Sequence, residues 1–103
     1  MPERYKVVIR PEAKKELRGH IRFLAAVNEA AAKRLLTKVN ADIRSLSKMP
    51  HRYPIYNRPD LEPGKYRRMV SSKHYLVIYH IVENTVYIGK IQDGRRGDNI
   101  ITG

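Results

Sequence analysis

The spacing of apolar residues changes along the chain, and the changes divide it into elements. Residues 5–10, YKVVIR, alternate Tyr5, Val7 and Ile9 with Lys6, Val8 and Arg10, the two-residue period of a short strand. Pro11 lacks the donor that a ladder needs and suits a first helical turn, so a helix is expected to start at Pro11 or Glu12. From there Ala13, Leu17, Ile21, Leu24 and Val27 recur at three- and four-residue spacing, while Lys14, Lys15, Arg18 and Arg22 take other faces. Asn28 interrupts the stripe and is a natural cap for a second helix over residues 29–48, with Ala32, Leu35, Leu36, Val39, Ile43 and Leu46 turned inward. So short a connection makes the two helices an antiparallel hairpin.

Residues 49–64 hold four of the six prolines and read as a loop crossing the surface, pinned by Tyr53, Ile55 and Tyr56. Loops of this length are often functional. Residues 65–96 then read as three strands rich in β-branched and aromatic residues, joined by tight turns. The order β-α-α-β-β-β predicts an α+β fold in which a two-helix hairpin packs on one face of a mostly antiparallel four-stranded sheet, as one domain over residues 1–103.

A two-residue turn at Glu83 and Asn84 sets Val82 against Thr85, His80 against Tyr87 and Tyr79 against Ile88. One face then carries Tyr75, Val77, Tyr79, Ile81, Val86 and Ile88. The other carries Leu76, Ile78, His80, Tyr87, Gly89 and Ile91. A turn at Ser72 and Lys73 adds Arg67 and Met69 to the second face, and Arg68 and Val70 to the first. The first face, with more aromatic and β-branched bulk, is assigned to the helices. The second, with Arg67, His80, Tyr87 and the space left by Gly89, is expected to be open to a ligand. A slip of one residue exchanges the faces.

Charge changes this picture most. A formal net charge of +11, from 21 Lys and Arg against 10 Asp and Glu in 103 residues, points to a polyanionic or acidic partner. The plain alternative is a basic, solvated surface. With no cysteine, disulfides, thiol nucleophiles and cysteine-based zinc sites drop out. No apolar run approaches the ~20 residues of a membrane span and no signal-peptide core stands at the N-terminus, so a cytoplasmic protein without membrane contact is expected.

Metalloprotease, phosphate-loop and Ser/His/Asp patterns do not occur, and His20, His51, His74 and His80 are scattered, so neither metal nor cofactor is expected. What remains suits phosphate: Arg67 and Arg68, Lys73, His80, Tyr87, and the arginines Arg95 and Arg96 after the last strand. Lys48 and Arg52 beside the loop join Arg68, Lys73 and Arg95 as candidates for nucleic-acid or target binding. Each has a structural reading as well. Strand-edge arginines discourage aggregation, a pair of arginines can be a charged tail, and His80 beside Tyr87 can be a cross-strand contact.

Taken together, PEAKKEL opening the first helix, LSKMP closing the second, YRRMVSSKHYLVIYHI, VYIGKI and the final GRR resemble the RelE/ParE superfamily of type II toxin-antitoxin toxins over nearly the whole chain. The resemblance implies a cognate acidic antitoxin, a homodimer or a heterotetramer with that antitoxin, and one of two modes of growth inhibition. RelE-like toxins cut mRNA on the ribosome without a metal, as endoribonucleases; ParE-like toxins poison DNA gyrase. For cleavage, the resemblance places Arg67 and Arg96 on phosphate-binding positions, with His80 or Tyr87 for proton transfer. It also places Leu76 where a RelE-like toxin carries a catalytic arginine. A non-toxic RNA- or DNA-binding module is the alternative from a different class.

Overall fold

The computed structural model describes residues 4–95. Its elements follow in the order β1 (Lys6–Ile9), α1 (Pro11–Ala25), α2 (Glu29–Ser45), β2 (Arg67–Ser71), β3 (Tyr75–Val82) and β4 (Thr85–Asp93), with a single 3-10 turn at Pro50–Arg52. The sheet order is β1-β4-β3-β2, with β1 parallel to β4 and the remaining pairs antiparallel. This is the predicted α+β architecture.

Helix α1 begins with proline at its first turn, as expected, and α2 begins where the Asn28 side chain accepts from the Ala31 amide at 2.9 Å. Such a cap contributes about 1 kcal/mol. Ala13 and Leu17 of α1 and Leu35, Val39, Ile43 and Leu46 from the second helical segment pack on Met69, Tyr75, Val77, Tyr79, Val86, Ile88 and Ile91 of the sheet. Two residues of the predicted stripes do not take part. Val27 lies past the end of α1 and is 79% exposed, and Leu36 sits on the shoulder of α2 at 39%.

The β3–β4 hairpin has the predicted register at its turn end, including Tyr79 with Ile88 and His80 with Tyr87. Beyond that point the register shifts: Ile78 pairs with Lys90, so Gly89 is the extra residue of a bulge. Ile91 therefore joins the helix-covered core rather than the opposite face. Lys90 takes the parity expected of its neighbour.

A second correction concerns β2. Ser71 pairs with Tyr75, so the turn holds three residues, with Ser72 and Lys73 at φ 49° and 73°. The added residue exchanges the faces of β2. Arg67 and Met69 fall on the helix side, and Arg68 and Val70 on the other.

Where β1 stops, side chains of α1 take over the outer edge of β4. The Glu16 carboxylate accepts from the Ile91 amide at 2.8 Å, and the His20 Nε2–H donates to the Ile91 carbonyl at 2.7 Å. On the opposite edge, Arg68 N–H donates to Pro54 O at 3.1 Å and Tyr56 N–H to Tyr66 O at 2.8 Å. The proline-rich segment thus shields part of an edge strand that would otherwise offer unpaired backbone groups.

Candidate functional site

The face opposite the helices is less open than the sequence predicts. The proline-rich loop folds across it and sets Leu61 on Leu76 and Ile78, flanked by Tyr56 and Tyr66. Leu76 retains 8% exposure and Ile78 none. Arg58, which the sequence reading passed over, fastens this cover. Its Nε and Nη2 reach the two Asp60 carboxylate oxygens at 2.6 and 2.8 Å, and its Nη1 donates to Gln92 Oε1 of β4 at 2.8 Å. Each partner favours the other's charge: the Asp60 hydrogen bond raises the Arg58 pKa and the Arg58 hydrogen bond lowers that of Asp60. An arginine and a carboxylate two positions apart across a proline, placed so that the planar guanidinium fork meets both oxygens, are the signal that marks this clasp.

What stays accessible on this face is the end around His80. The His80 ring stacks on Tyr87 at 5.4 Å and meets Tyr66 edge-on at 5.2 Å, so the predicted cross-strand pair extends to a third ring. A cavity of about 420 Å³ opens beside it, lined by Arg10, Glu12, Lys65, Tyr66, His80, Gly89 and Lys90. Burial, then the positive charges of Lys65 and Arg10, hold the His80 pKa below its ordinary value, against an upward pull from Glu62. His80 Nδ1 is buried without a hydrogen-bond partner.

Arg67 does not reach this place. Its Nη1 donates to the carbonyls of His51 and Tyr53 at 3.0 and 2.5 Å, on the helix side of the sheet. Arg52 stands nearby, over the Tyr53 ring at 4.9 Å and bonded to its hydroxyl at 3.1 Å. Arg68 lies on the opposite face, over the Tyr56 ring at 4.8 Å. Lys73 and Arg95, far apart in sequence, line one basic cavity of about 440 Å³ with Arg34, Lys38 and His74. Arg95 there also pairs with Asp93 at 3.2 Å. Lys48 is exposed. Arg96 lies outside the described residues. Among the described residues, the predicted site residues are therefore divided among separate places, His80 with Tyr87, Arg52 with Arg67, and Lys73 with Arg95.

Among the described residues no cluster of three or more acidic or histidine side chains is placed to hold a metal ion, and no helix is long and apolar enough to cross a membrane. Residues 7–97 match the family described as "ParE toxin of type II toxin-antitoxin system, parDE". The chain belongs to the ParE toxin family. Among solved structures, the chain is similar to one titled "Chromosomal ParDE TA system from P. aeruginosa", with a TM-score of 0.73 and 12% identity over 89% of this chain and 98% of that one. At that identity the likeness is one of fold. No curated protein sequence matches the chain significantly. Membership of the ParE family within the RelE/ParE superfamily agrees with the ordered set of segments in the sequence, and makes this chain a toxin of a type II toxin-antitoxin system.

Proposed function

We propose that this ParE-family toxin stops growth by obstructing DNA gyrase, without cutting RNA, and that a cognate acidic antitoxin neutralises it. The observation that carries the first part is the separation of Arg67 from His80 and Tyr87. Metal-independent cleavage needs a phosphate-holding cation and a proton-transfer group within reach of one phosphodiester. Arg67 is bonded to backbone carbonyls on one face of the sheet, while His80 and Tyr87 lie on the other. Leu76, at the position where RelE-like toxins resemble one another in carrying an arginine, is covered by Leu61. The net charge of +11 supports an acidic antitoxin, because charge complementarity speeds association and excludes wrong partners.

The test is induction of the chain in bacteria with translation, mRNA integrity and plasmid supercoiling followed in parallel, together with a supercoiling assay on purified gyrase. Loss of supercoiling and a DNA-damage response before any fall in translation are expected. Early translation arrest with cut mRNA would instead establish cleavage, and normal growth with salt-sensitive nucleic-acid binding would establish a non-toxic binding module.

A further inference from the structure

The cavity beside His80 draws on four separate stretches of chain. Arg10 and Glu12 come from the β1–α1 junction, Lys65 and Tyr66 from the end of the loop, His80 from β3, and Gly89 and Lys90 from β4. Its volume of about 420 Å³ falls in the roughly 300–1,000 Å³ range of small-ligand sites. The bulge supplies part of its lining, through Gly89 and Lys90. Gly89 contributes no side chain, and a Cβ built there would meet only the Ile78 carbonyl, at 3.9 Å. The same bulge pairs Lys90 with Ile78 and so turns it to the face that carries His80.

The chemistry of the lining is selective. Arg10, Lys65 and Lys90 supply three cations against one lining carboxylate, Glu12. Lys65 makes a long contact to the exposed Glu62 carboxylate, at 3.7 Å, and its ammonium stands 5.4 Å from the centre of the Tyr66 ring. Arg10 precedes the first turn of α1, whose amides receive no side-chain cap. These groups suit an anion with several oxygens, which is the character of phosphate. Two rings, Tyr66 and His80, form the remaining wall, and His80 keeps an unused buried nitrogen. An inorganic phosphate would leave that wall and most of the volume unfilled. An acidic side chain would also satisfy the cations, but it has no use for the rings.

We propose that this cavity binds a nucleotide-class ligand, with its phosphate held by Arg10, Lys65 and Lys90 and its base laid against Tyr66 and His80. Glu12 is the acceptor in the lining suited to a sugar hydroxyl. The site binds and does not cleave, since Arg67 is on the other face of the sheet. The inference is independent of the gyrase reading.

The test is amide NMR of the full chain titrated with AMP, adenosine, inorganic phosphate and a short glutamate-rich peptide. AMP is expected to give saturable shifts at Lys65, Tyr66, His80, Gly89 and Lys90, with adenosine and phosphate each weaker by at least about tenfold. Gly89→Val adds a side chain to the lining without changing charge and should weaken AMP by about tenfold or more, whereas Lys33→Ala, at an exposed position of α2 that lines no part of this cavity, should leave it unchanged. If Gly89→Val does not fold, the double variant Lys65→Ala and Lys90→Ala serves the same purpose. Phosphate binding as well as AMP, preference for the acidic peptide, shifts scattered over the basic surface, or no saturable shift at millimolar AMP would each overturn the proposal.

Discussion

Arg67 and His80 lie on opposite faces of one sheet, although they sit on neighbouring strands and Arg67 pairs with the residue next to His80. Arg67 consequently holds the segment after α2 in place, with its guanidinium on the carbonyls of His51 and Tyr53. The same corner contains the buried Tyr79 hydroxyl, which donates to Pro50 O at 2.7 Å. Burial raises the pKa of that phenol far above its ordinary value, with Arg67 and Arg52 pulling it down.

Arg67→Ala should therefore act on stability. Losing two charge-assisted hydrogen bonds and leaving their carbonyls unpaired is expected to cost roughly 1–3 kcal/mol in urea unfolding. Any fall in toxicity should track the loss of folded protein. Full stability with abolished toxicity would show instead that Arg67 touches the target.

Arg58→Ala should loosen the cover over Leu76 and Ile78. Asp60 is half exposed, so the ion pair alone contributes about 0–1 kcal/mol, and the bond to Gln92 adds on the order of 1 kcal/mol. The expected total is roughly 1–2 kcal/mol. Hydrogen exchange should localise it. The Tyr56 amide, bonded to Tyr66 O, and the Leu61 amide, bonded to Arg58 O, should exchange faster while the α2 amides keep their protection. Asp60→Asn, which keeps the Gln92 bond, should do less.

The two glycines of β4 and its end should behave differently. A Cβ at Gly94 would lie 2.7 Å from the His74 carbonyl and 3.3 Å from Leu76 Cγ, and the carbonyl is backbone that cannot swing aside. Gly94→Ala is expected to destabilise by about 1–3 kcal/mol, the range of an overpacked site. At Gly89 the nearest atom is 3.9 Å away, so Gly89→Ala should change the thermal midpoint little. Equal effects at both positions would contradict the bulge geometry.

These residues also show which features of the fold are legible in sequence. The helices are, because Pro11 and Asn28 mark their starts and the three- and four-residue period marks their buried sides. The hairpin register is legible back from Glu83 and Asn84 as far as Ile88, since a two-residue turn fixes pairing. It fails at Gly89 because a bulge adds a residue that periodicity does not count; glycine inside a strand was the available signal. The Ser72–Lys73 turn contains no glycine or asparagine to announce its left-handed backbone, so its third residue is hidden and Arg67 is assigned to the wrong face. The cover over Leu76 rests on Leu61 and Arg58, single residues in a proline-rich segment without period. The candidate site was thus legible as a pair of residues, His80 and Tyr87, but its cations were not.

His80 should give the chain a stability that depends on pH in a window of its own. Its imidazole is held below the ordinary value of 6.5, first by burial and then by Lys65 and Arg10, with Glu62 opposing. The fold therefore favours the neutral ring. Above pH 6.5 the ring is neutral in both folded and unfolded chains and its contribution is complete; as pH falls through the folded pKa, that contribution is lost. The carboxyls of Asp60 and Asp93 are both held below their ordinary 3.8 and lose their contributions only in stronger acid. Thermal midpoints of the wild type are expected to fall between about pH 7 and pH 5 more steeply than those of His80→Phe, whose ring keeps the contacts with Tyr66 and Tyr87 and cannot take a proton. The difference between the two curves isolates His80 from the other histidines. Parallel curves would mean that the fold does not disfavour the charged ring, and that burial between Tyr66 and Tyr87 is offset by a partner in solution.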